Sequence, residues 1–344
     1  MPSLKEIKGR INSISSTLAI TSAMKMVAAA KLQKAQMAIQ NMLPYERRLH
    51  SMLLDLMGAV NMSAPASEEG SAQLVSLSNQ PDHTESEGAY SLMAQREVHR
   101  VAIVAFASNS SLCGAFNSNA IREATAVINE YRASGLVDAD ITVYSVGRKM
   151  AEAMKKLGFP SPADFTKMSD SPSYDAASAL AQELFDGFVS GRFDKVELVY
   201  NHYKSTSSQP TTRQTYLPLS LADATADIQV GKITDSASES DTNRGAEPVG
   251  APVVRQGSPT TEDLIVEPSK EELIATLLPK VVRLRVFTTL LDSTAAEQAA
   301  RTVAMQLATD NGNDLLQELT LEYNKGRQQK ITSEILDLVG GSLQ

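Results

Sequence analysis

The first 57 residues carry a seam of apolar side chains that recurs in steps of four and three from Ile7 to Leu56. A period of 3.5 residues keeps one side of a helix turned toward a single partner and implies left-handed supercoiling. At about 1.5 Å per residue such a helix is roughly 80 Å long, far longer than the core of a small domain requires. The pattern therefore predicts one helix of a coiled coil. Its twelve apolar positions are Ile7, Ile11, Ile14, Leu18, Ala28, Leu32, Ala35, Ile39, Met42, Leu49, Leu53 and Leu56.

The last part of the chain, from about Pro268 to Gly341, is also helical in pattern. Its apolar stripe drifts around the surface as in a straight helix, and the Ala- and Thr-rich stretch between Ser293 and Gly312 would let a neighbour approach closely. Two long helices at opposite ends of a chain can bury their stripes against each other, antiparallel, or against a partner. The second stripe consists of Leu284, Phe287, Leu291, Met305, Leu315, Leu319, Ile331, Ile335 and Leu338.

Three local features stand out in the first helix. Ser3 followed by Glu6 forms a capping box that begins it. Pro44 is expected to bend or loosen it, because proline removes a backbone donor. Thr21 and Lys25 interrupt the apolar seam. Either the lysine lays its aliphatic stem along the seam and reaches water, or this turn points away from the second helix toward a partner.

The middle of the chain alternates between short apolar runs and amphipathic stretches. The run at 101–106 is typical of a buried strand. Strands that alternate with helices predict a small Rossmann-like α/β domain with a mostly parallel sheet over 98–220. The predicted strands are Val101–Phe106, Ile141–Val146, about Lys195–Tyr203 and about Arg213–Leu219, and the predicted helices are about Asn117–Arg132, Arg148–Lys156 and about Tyr174–Val189.

The net charge of −8 is distributed unevenly along the chain. Residues 61–97 have one Lys or Arg against six Asp or Glu and residues 221–267 have three against nine, whereas residues 1–57 have eight against three. The two acidic stretches cannot bury enough apolar surface to offset the entropy of ordering them, so we expect flexible insertions. The predicted division is 1–60 for the N-terminal coiled-coil helix, 61–97 and 221–262 for the acidic insertions, 98–220 for the α/β domain and 263–344 for the C-terminal coiled-coil helix.

Residues that could do chemistry are sparse. The single cysteine, Cys113, allows no internal disulfide, and the four histidines lack the spacing of metal ligands. No glycine-rich phosphate loop follows a predicted strand. The loop Ser108–Asn117 could hold an anion at a helix N-terminus, although capping and turn formation explain the same residues. We therefore expect a buried structural thiol, no catalytic residue, no cofactor and no small-molecule substrate.

The basic first helix lacks the interleaved aromatic side chains of a nucleic-acid surface, which favours an acidic protein partner over nucleic acid. The charged start of the chain is not a signal peptide, and no apolar run approaches 18 residues. These patterns predict a soluble protein of a reducing compartment with a mechanical role. Two alternatives stay open: an enzyme whose α/β domain binds a nucleotide while its helices dimerise, and a free-standing coiled-coil scaffold.

Several long motifs resemble the gamma subunit family of F-type ATP synthases. They cover the two long helices and part of the middle, but neither acidic stretch. The motifs are Ile20–Gln36 (ITSAMKMVAAAKLQKAQ), Glu297–Met305 (EQAARTVAM), Ala308–Asn311 (ATDN), Glu318–Ile331 (ELTLEYNKGRQQKI), and Leu112–Gly114 with Asn117 after the first strand.

The resemblance implies an antiparallel coil of the N- and C-terminal helices that passes through a ring of three alpha and three beta subunits. It places the α/β domain below that ring, beside the epsilon subunit and the membrane ring of c subunits. The implied function is a rotor shaft that couples proton flow to ATP synthesis or hydrolysis at the beta subunits and has no catalytic site of its own. The implied location is the cytoplasmic face of a bacterial inner membrane, with attachment through partners alone.

The resemblance also implies contacts of particular residues, although two stretches of this chain differ from the family pattern. The family usually has Asp-Arg-Gly before Leu-Cys-Gly, where this chain has Asn109-Ser-Ser111, and this leaves any charged contact of that loop open. The family often has aromatic residues before a Glu-Pro pair, where this chain has Ile265-Val266. The implied contacts are Met24, Lys25, Cys113, Arg327, Gln328 and Thr332 with beta, and Glu267 with the c ring.

Overall fold

Two long helices and a four-stranded sheet make up the part of the chain that the structure, a computed structural model, describes: residues 3–62, 92, 96–219, 267 and 269–341. Most of the acidic insertions predicted at 61–97 and 221–262 lies outside these residues. The elements are α1 (Leu4–Met62), β1 (Val101–Phe106), α2 (Phe116–Ala133), β2 (Ile141–Val146), α3 (Arg148–Lys156), α4 (Thr166–Asp170), α5 (Tyr174–Val189), β3 (Lys195–Asn201), β4 (Thr211–Leu217) and α6 (Lys270–Gly341).

The predicted seam of α1 is confirmed along its whole length. All fifteen positions of the heptad pattern between Ile7 and Leu56 are buried or half-buried. The helix begins where the capping pattern places it, because the backbone N–H of Glu6 donates to Ser3 Oγ at 3.2 Å. It then continues through Pro44 without interruption, and we attribute this to the packing that holds both flanks of the proline in the core.

Helices α1 and α6 pack antiparallel, as predicted. Along the coil, contact residues with higher numbers on α1 face residues with lower numbers on α6. The two helices therefore keep nearly the same register over most of the length of α1. Small residues of α6 lie against large residues of α1, which brings the two backbones close together. The facing pairs include Leu4 with Gly326, Leu18 with Gly312, Thr21 with Thr309 and Glu46 with Thr288.

The polar turn in the seam faces the second helix. Thr309 Oγ1 donates to Thr21 Oγ1 at 3.1 Å across the coil, and Lys25 is half-buried one turn further on. The interpretation that this turn points away from the second helix is therefore wrong. The two threonine hydroxyls bond to each other inside the coil, so the seam accommodates them without a contact to another protein.

The central domain has the predicted Rossmann-like arrangement. The strand order is β2-β1-β3-β4, in which β1 runs parallel to β2 and β3, and β4 closes the sheet antiparallel to β3. Strand β3 ends at Asn201 rather than at Tyr203, because the chain turns there: His202 N–H donates to the Pro210 carbonyl at 2.9 Å.

The sheet is covered on both faces, which explains the uninterrupted apolar runs of its central strands. Helices α2 and α3 cover one face. Helices α5 and α6, together with the C-terminal part of α1, cover the other. The base of the coil is thus part of the domain core. Its contribution consists of Leu49, Leu53 and Leu56 from α1 and Ile274, Leu278, Val281, Val282, Leu284, Val286 and Leu290 from α6.

The close approach at Gly312 yields a test of the coil. A Cβ atom at Gly312 would lie 2.6 Å from Leu18 Cδ2, whereas a Cβ atom at Gly9, near the start of α1, would meet nothing within 4 Å. We expect Gly312→Val to lower the free energy of unfolding by about 1–3 kcal/mol, the usual effect of overpacking. The matched Gly9→Val should stay within about 0.5 kcal/mol of the parent, since valine and glycine differ little in helix propensity.

Urea unfolding of the purified chain, followed by circular dichroism, measures both changes. Equal effects of the two substitutions would contradict the close packing at Gly312.

Candidate functional site

The C-terminal tip of α6 carries three of the sequence-predicted contact residues. Helix α1 begins opposite Gly326, so from there on α6 continues without its coil partner. Arg327, Gln328 and Thr332 all lie on this tip and are exposed. Thr332 Oγ1 donates to the Gln328 backbone carbonyl at 2.9 Å, and the side chains of Arg327 and Gln328 are accessible to a partner.

The apolar stripe of α6 also continues onto the tip, where α1 no longer covers it. Ile331, Ile335 and Leu338 belong to the predicted stripe, yet all three are exposed, Leu338 to 75%. Leu319, before the end of the coil, is buried. A contiguous set of exposed large apolar residues is the mark of a surface that contacts another molecule.

Met24 and Lys25 lie on α1 within the coil. The Met24 side chain is 40% exposed, and Lys25 is half-buried beside it. Around them, Ile20, Met26 and Val27 are more exposed still. The outer face of this part of α1 is therefore apolar, although the opposite face is fully used by the coil.

Cys113 is a buried structural thiol, as predicted from its sequence surroundings. It is 1% exposed and packs with Phe116 and with Ala296 of α6, and Asn117 Nδ2 donates to its sulfur at 3.2 Å. The large apolar side chain of this loop that reaches the surface is Leu112, which is 56% exposed and has a φ of +70°, an uncommon conformation for a residue with a Cβ. A contact made by the thiol itself would require the loop to open.

Arg301 of α6 fixes the same loop to the coil. Its guanidinium donates to the Ser111 carbonyl at 2.7 Å, to Ser110 Oγ at 2.8 Å and to Glu297 Oε1 at 2.6 Å. Burial raises the pKa of Glu297, and the charge of Arg301 opposes that rise. The loop whose sequence departs from the family pattern is thus tied to α6 through a serine hydroxyl and a backbone carbonyl.

Asn109, the first residue of that departure, is used inside the domain. Its Nδ2 donates to the Thr166 carbonyl at 2.7 Å, and its Oδ1 accepts the backbone N–H of Arg148 at 2.7 Å. It therefore joins the ends of β1 and β2 to α4. The three residues Asn109-Ser-Ser111 build the loop, and their hydrogen bonds hold it to the rest of the domain and to α6.

The position where a doubly wound fold holds a ligand is filled by α6. In such folds the ligand lies at the carboxyl ends of the strands where the strand order reverses, here between β1 and β3. Ala296, Phe116 and Tyr203 pack together at that place. Within the described parts of the chain, no cluster of His, Cys, Asp and Glu is able to hold a metal ion. The arrangement suits attachment of the coil, since side chains of α6 occupy this position in the described part of the chain.

Sequence reasoning missed His202 and Tyr203, which connect the end of β3 to α6. His202 Nδ1 lies 2.6 Å from Asp292 Oδ2, and the Tyr203 backbone N–H donates to Asp292 Oδ1 at 2.9 Å. The hydrogen bond with Asp292 raises the pKa of His202. No pattern signals this contact, since its partners are separated by about ninety residues, and the sequence places His202 and Tyr203 inside the strand predicted at about Lys195–Tyr203.

Glu267, the predicted contact of the c ring, is exposed and lies shortly before α6 begins at Lys270. It is therefore at the opposite end of α6 from the tip. Among the described helices, none is both long enough and apolar enough to cross a bilayer.

Comparison with known proteins agrees with this geometry. The model of the ATP synthase family matches residues 3–343. The ATP synthase gamma chain of Phocaeicola vulgatus is 48% identical over 343 residues, with complete coverage of both chains, and that of Bacteroides thetaiotaomicron is 46% identical over 344 residues with the same coverage. This chain belongs to the ATP synthase gamma chain family.

A more distant gamma chain and a solved structure extend the comparison. The gamma chain of Flavobacterium johnsoniae is 36% identical over 342 residues and covers 99% of this chain and 98% of its own length. A chain in the rotor of the Euglena gracilis mitochondrial ATP synthase is 18% identical, with a TM-score of 0.51, and covers 95% of this chain and 98% of its own. The structural likeness concerns the fold: long terminal helices around an α/β domain.

The contact between His202 and Asp292 predicts a stability that depends on pH. Because the folded-state pKa of His202 is raised, protonation stabilises the fold fully below the ordinary value of about 6.5, and this contribution is lost as the pH rises through the folded-state pKa. We expect His202→Gln to lower the free energy of unfolding at pH 5.5 but little at pH 9. The ring is partly exposed, so solvent screening limits the difference to about 0.5–1 kcal/mol.

Thermal unfolding of the parent and His202→Gln chains across this pH range measures the effect. The control is His99→Gln, since the His99 side chain is exposed and its ion-pair partner Glu97 is exposed as well. Parallel pH profiles for the parent and His202→Gln would rule out the pair as the source.

Proposed function

We propose that this chain is the central rotor shaft of an F-type ATP synthase, coupling proton flow through a membrane ring of c subunits to ATP synthesis or hydrolysis at the beta subunits. Full-length identity to bacterial gamma chains supports it. The structural observation that carries it is the tip of α6: residues 327–341 continue beyond the start of α1 as a single helix, about 22 Å long at about 1.5 Å per residue.

The shaft acts by differential contact and has no catalytic site of its own. A coil of two helices that narrows to one helix has no rotational symmetry, so each beta subunit around it meets a different surface. Each orientation then stabilises a different conformation of each neighbour, and rotation moves every beta subunit through its states in turn. A binding partner shifts a conformational equilibrium only as far as its affinities for the two conformations differ. An asymmetric shaft presents a different surface to each beta subunit, so these affinities differ from one beta subunit to the next.

The proposed contacts with beta lie at two levels of the shaft. Arg327, Gln328 and Thr332 on the tip form the upper level. Met24 and Lys25, with the exposed apolar face of α1 around them, form the lower one. Cys113 contributes to this surface through the loop that it anchors, on which Leu112 is the exposed side chain. The alpha subunits complete the ring around the coil.

At the base, the α/β domain is proposed to sit beside the epsilon subunit and the c ring. Glu267, exposed before the start of α6, is the proposed contact of the c ring. Attachment to the membrane is through these partners. The curated relatives come from bacteria, and the proposed location is the cytoplasmic face of the inner membrane.

Rotation in a reconstituted complex tests the proposal against a static scaffold. The chain is assembled with its alpha and beta subunits, the ring is fixed to a surface, and a bead is attached to the α/β domain. ATP should drive rotation of the bead in one direction. A static scaffold would hold the bead still, and a self-assembling coiled coil would sediment as a homo-oligomer without the other subunits.

The polar pair at the tip should matter for turnover more than for assembly. We expect the double variant Arg327→Ala with Gln328→Ala to retain subunit stoichiometry but to lose ATP turnover about tenfold or more, since a charge-assisted hydrogen bond contributes about 1.5–3 kcal/mol. Native mass spectrometry and steady-state hydrolysis by the assembled complex measure the two quantities.

The matched control for the tip variant is Asn119→Ala with Arg122→Ala. This is an exposed Arg and amide pair on α2, joined at 3.2 Å and remote from the tip. Its removal should leave turnover unchanged. Normal turnover of the tip variant would show that Arg327 and Gln328 are not part of the contact surface with beta.

A further inference from the structure

The α/β domain and the coil are joined covalently through residues 63–100 and 218–269, which follow α1 and precede α6. Rotation imposed on the base must reach the coil through those connections or through side chains that contact both parts. One such contact is apolar, between the sheet and the base of α6. Apolar burial is non-directional, so this packing by itself selects no angle of rotation. Two hydrogen bonds add direction at the base of α6, from Arg283 to Gln182 Oε1 at 2.6 Å and from Tyr216 Oη to the Val282 carbonyl at 2.9 Å, but neither joins the domain to α1.

Further directional contacts lie one level higher, at the carboxyl edge of the sheet. The ends of β1 and β3 both bond to α6 there, through Arg301 and Asp292. These two residues are nine positions apart, which is about two and a half helical turns. Hydrogen bonds of this kind weaken steeply when their angles change, so they select an orientation of α6 relative to the sheet.

Tyr203 is the residue at this edge that reaches both helices of the coil. Its backbone N–H donates to Asp292 of α6 at 2.9 Å, and its hydroxyl accepts a hydrogen bond from Gln36 Nε2 of α1 at 2.7 Å. Its half-buried ring packs into two apolar clusters between these ends. One cluster consists of Leu32, Ala35, Ala295 and Ala299, and the other of Cys113, Phe116 and Ala296.

We propose that Tyr203 is a positioning residue that fixes the angle of the whole coil relative to the α/β domain, so that torque enters α1 and α6 together. The proposal rests on the proposed rotor function. With the hydroxyl bonded to α1 and the backbone bonded to α6, rotation of the domain displaces both helices at the same level. Without the hydroxyl, α1 keeps its apolar contacts with the sheet, with the Tyr203 ring and with α6 but loses this directional bond to the domain, so the coil can twist before it transmits force.

The test measures torsional stiffness in the assembled complex. The ring of alpha and beta subunits is fixed to a surface, a bead is attached to the α/β domain, and its angular fluctuations are recorded during pauses between steps. Tyr203→Phe removes the hydroxyl and keeps the ring, and we expect the angular variance to rise by about twofold or more because a directional contact is lost. Gln36→Leu removes the partner and should give the same result, with no further increase in the double variant.

The matched control is Tyr174→Phe. The ring of Tyr174 also packs on α6, 5.7 Å from that of Phe287, but in the described parts of the chain its hydroxyl is not bonded to α1. Tyr174→Phe should therefore leave the angular variance of the bead unchanged. An unchanged variance for Tyr203→Phe in a complex that still rotates would overturn the positioning role alone. A parent complex that does not rotate would overturn the rotor function itself, so the two failures are distinguishable.

A lowered melting temperature of Tyr203→Phe with normal variance would mark the residue as merely structural, and this outcome also counts against the proposal. The coupling of ATP hydrolysis to proton pumping offers an independent readout. In membrane vesicles we expect Tyr203→Phe to retain ATP hydrolysis while ATP-driven proton pumping falls, because a twisting shaft dissipates part of each step. Equal pumping per ATP in the parent and the variant would contradict it.

Discussion

Two helices of 59 and 72 residues expose more apolar surface along their length than a domain of this size can cover. Burial of each helix on the other is therefore the constraint on which the rest of the structure depends. The antiparallel arrangement follows, because the helices lie at opposite ends of the chain and an α/β domain joins them at one end. It also leaves the longer helix to continue alone past Leu4, which creates the exposed tip.

Polar groups within the coil give it a definite register. Thr21 and Thr309 satisfy each other, and Glu46 accepts from Thr288 and lies 3.6 Å from Arg285. A shift of one helix along the other would break these hydrogen bonds and the ion pair across the coil, which is a penalty that apolar contacts do not impose. A shaft that transmits force needs such a register, because a coil held by apolar packing alone could slip.

The α/β domain has the topology of a nucleotide-binding fold but uses its ligand position for another purpose. Helix α6 fills the reversal point of the strand order, and the loop after β1 bonds to Arg301 instead of to a phosphate. The carboxyl edge of the sheet therefore binds the protein's own helix. The edge at which a glycine-rich loop would approach a phosphate is thus occupied by side chains of α6.

Local patterns were enough to predict much of the architecture. The heptad seam, the capping box at Ser3 and the alternation of strands and helices depend on neighbours within about one to four residues, and these predictions were confirmed within one to two residues at most element ends. The expected sheet was mostly parallel, and the antiparallel β4 at its edge agrees with that. The errors arose where distant residues meet, as at Thr21, whose partner is 288 positions away.

Sequence by itself determined that the chain has two long helices with continuous apolar stripes, a covered sheet between them and, through its long motifs, its family. Tertiary structure alone decided where the coil ends, which parts of the helix surfaces stay exposed and which residues bond the edge of the sheet to the coil. The exposure of Ile331 follows from the position of Leu4 at the start of α1, and the contact of Tyr203 with Gln36 spans 167 positions. Periodicity specifies which residues seek burial, but the residue that buries each of them depends on the relative placement of whole elements, and that placement is set by packing.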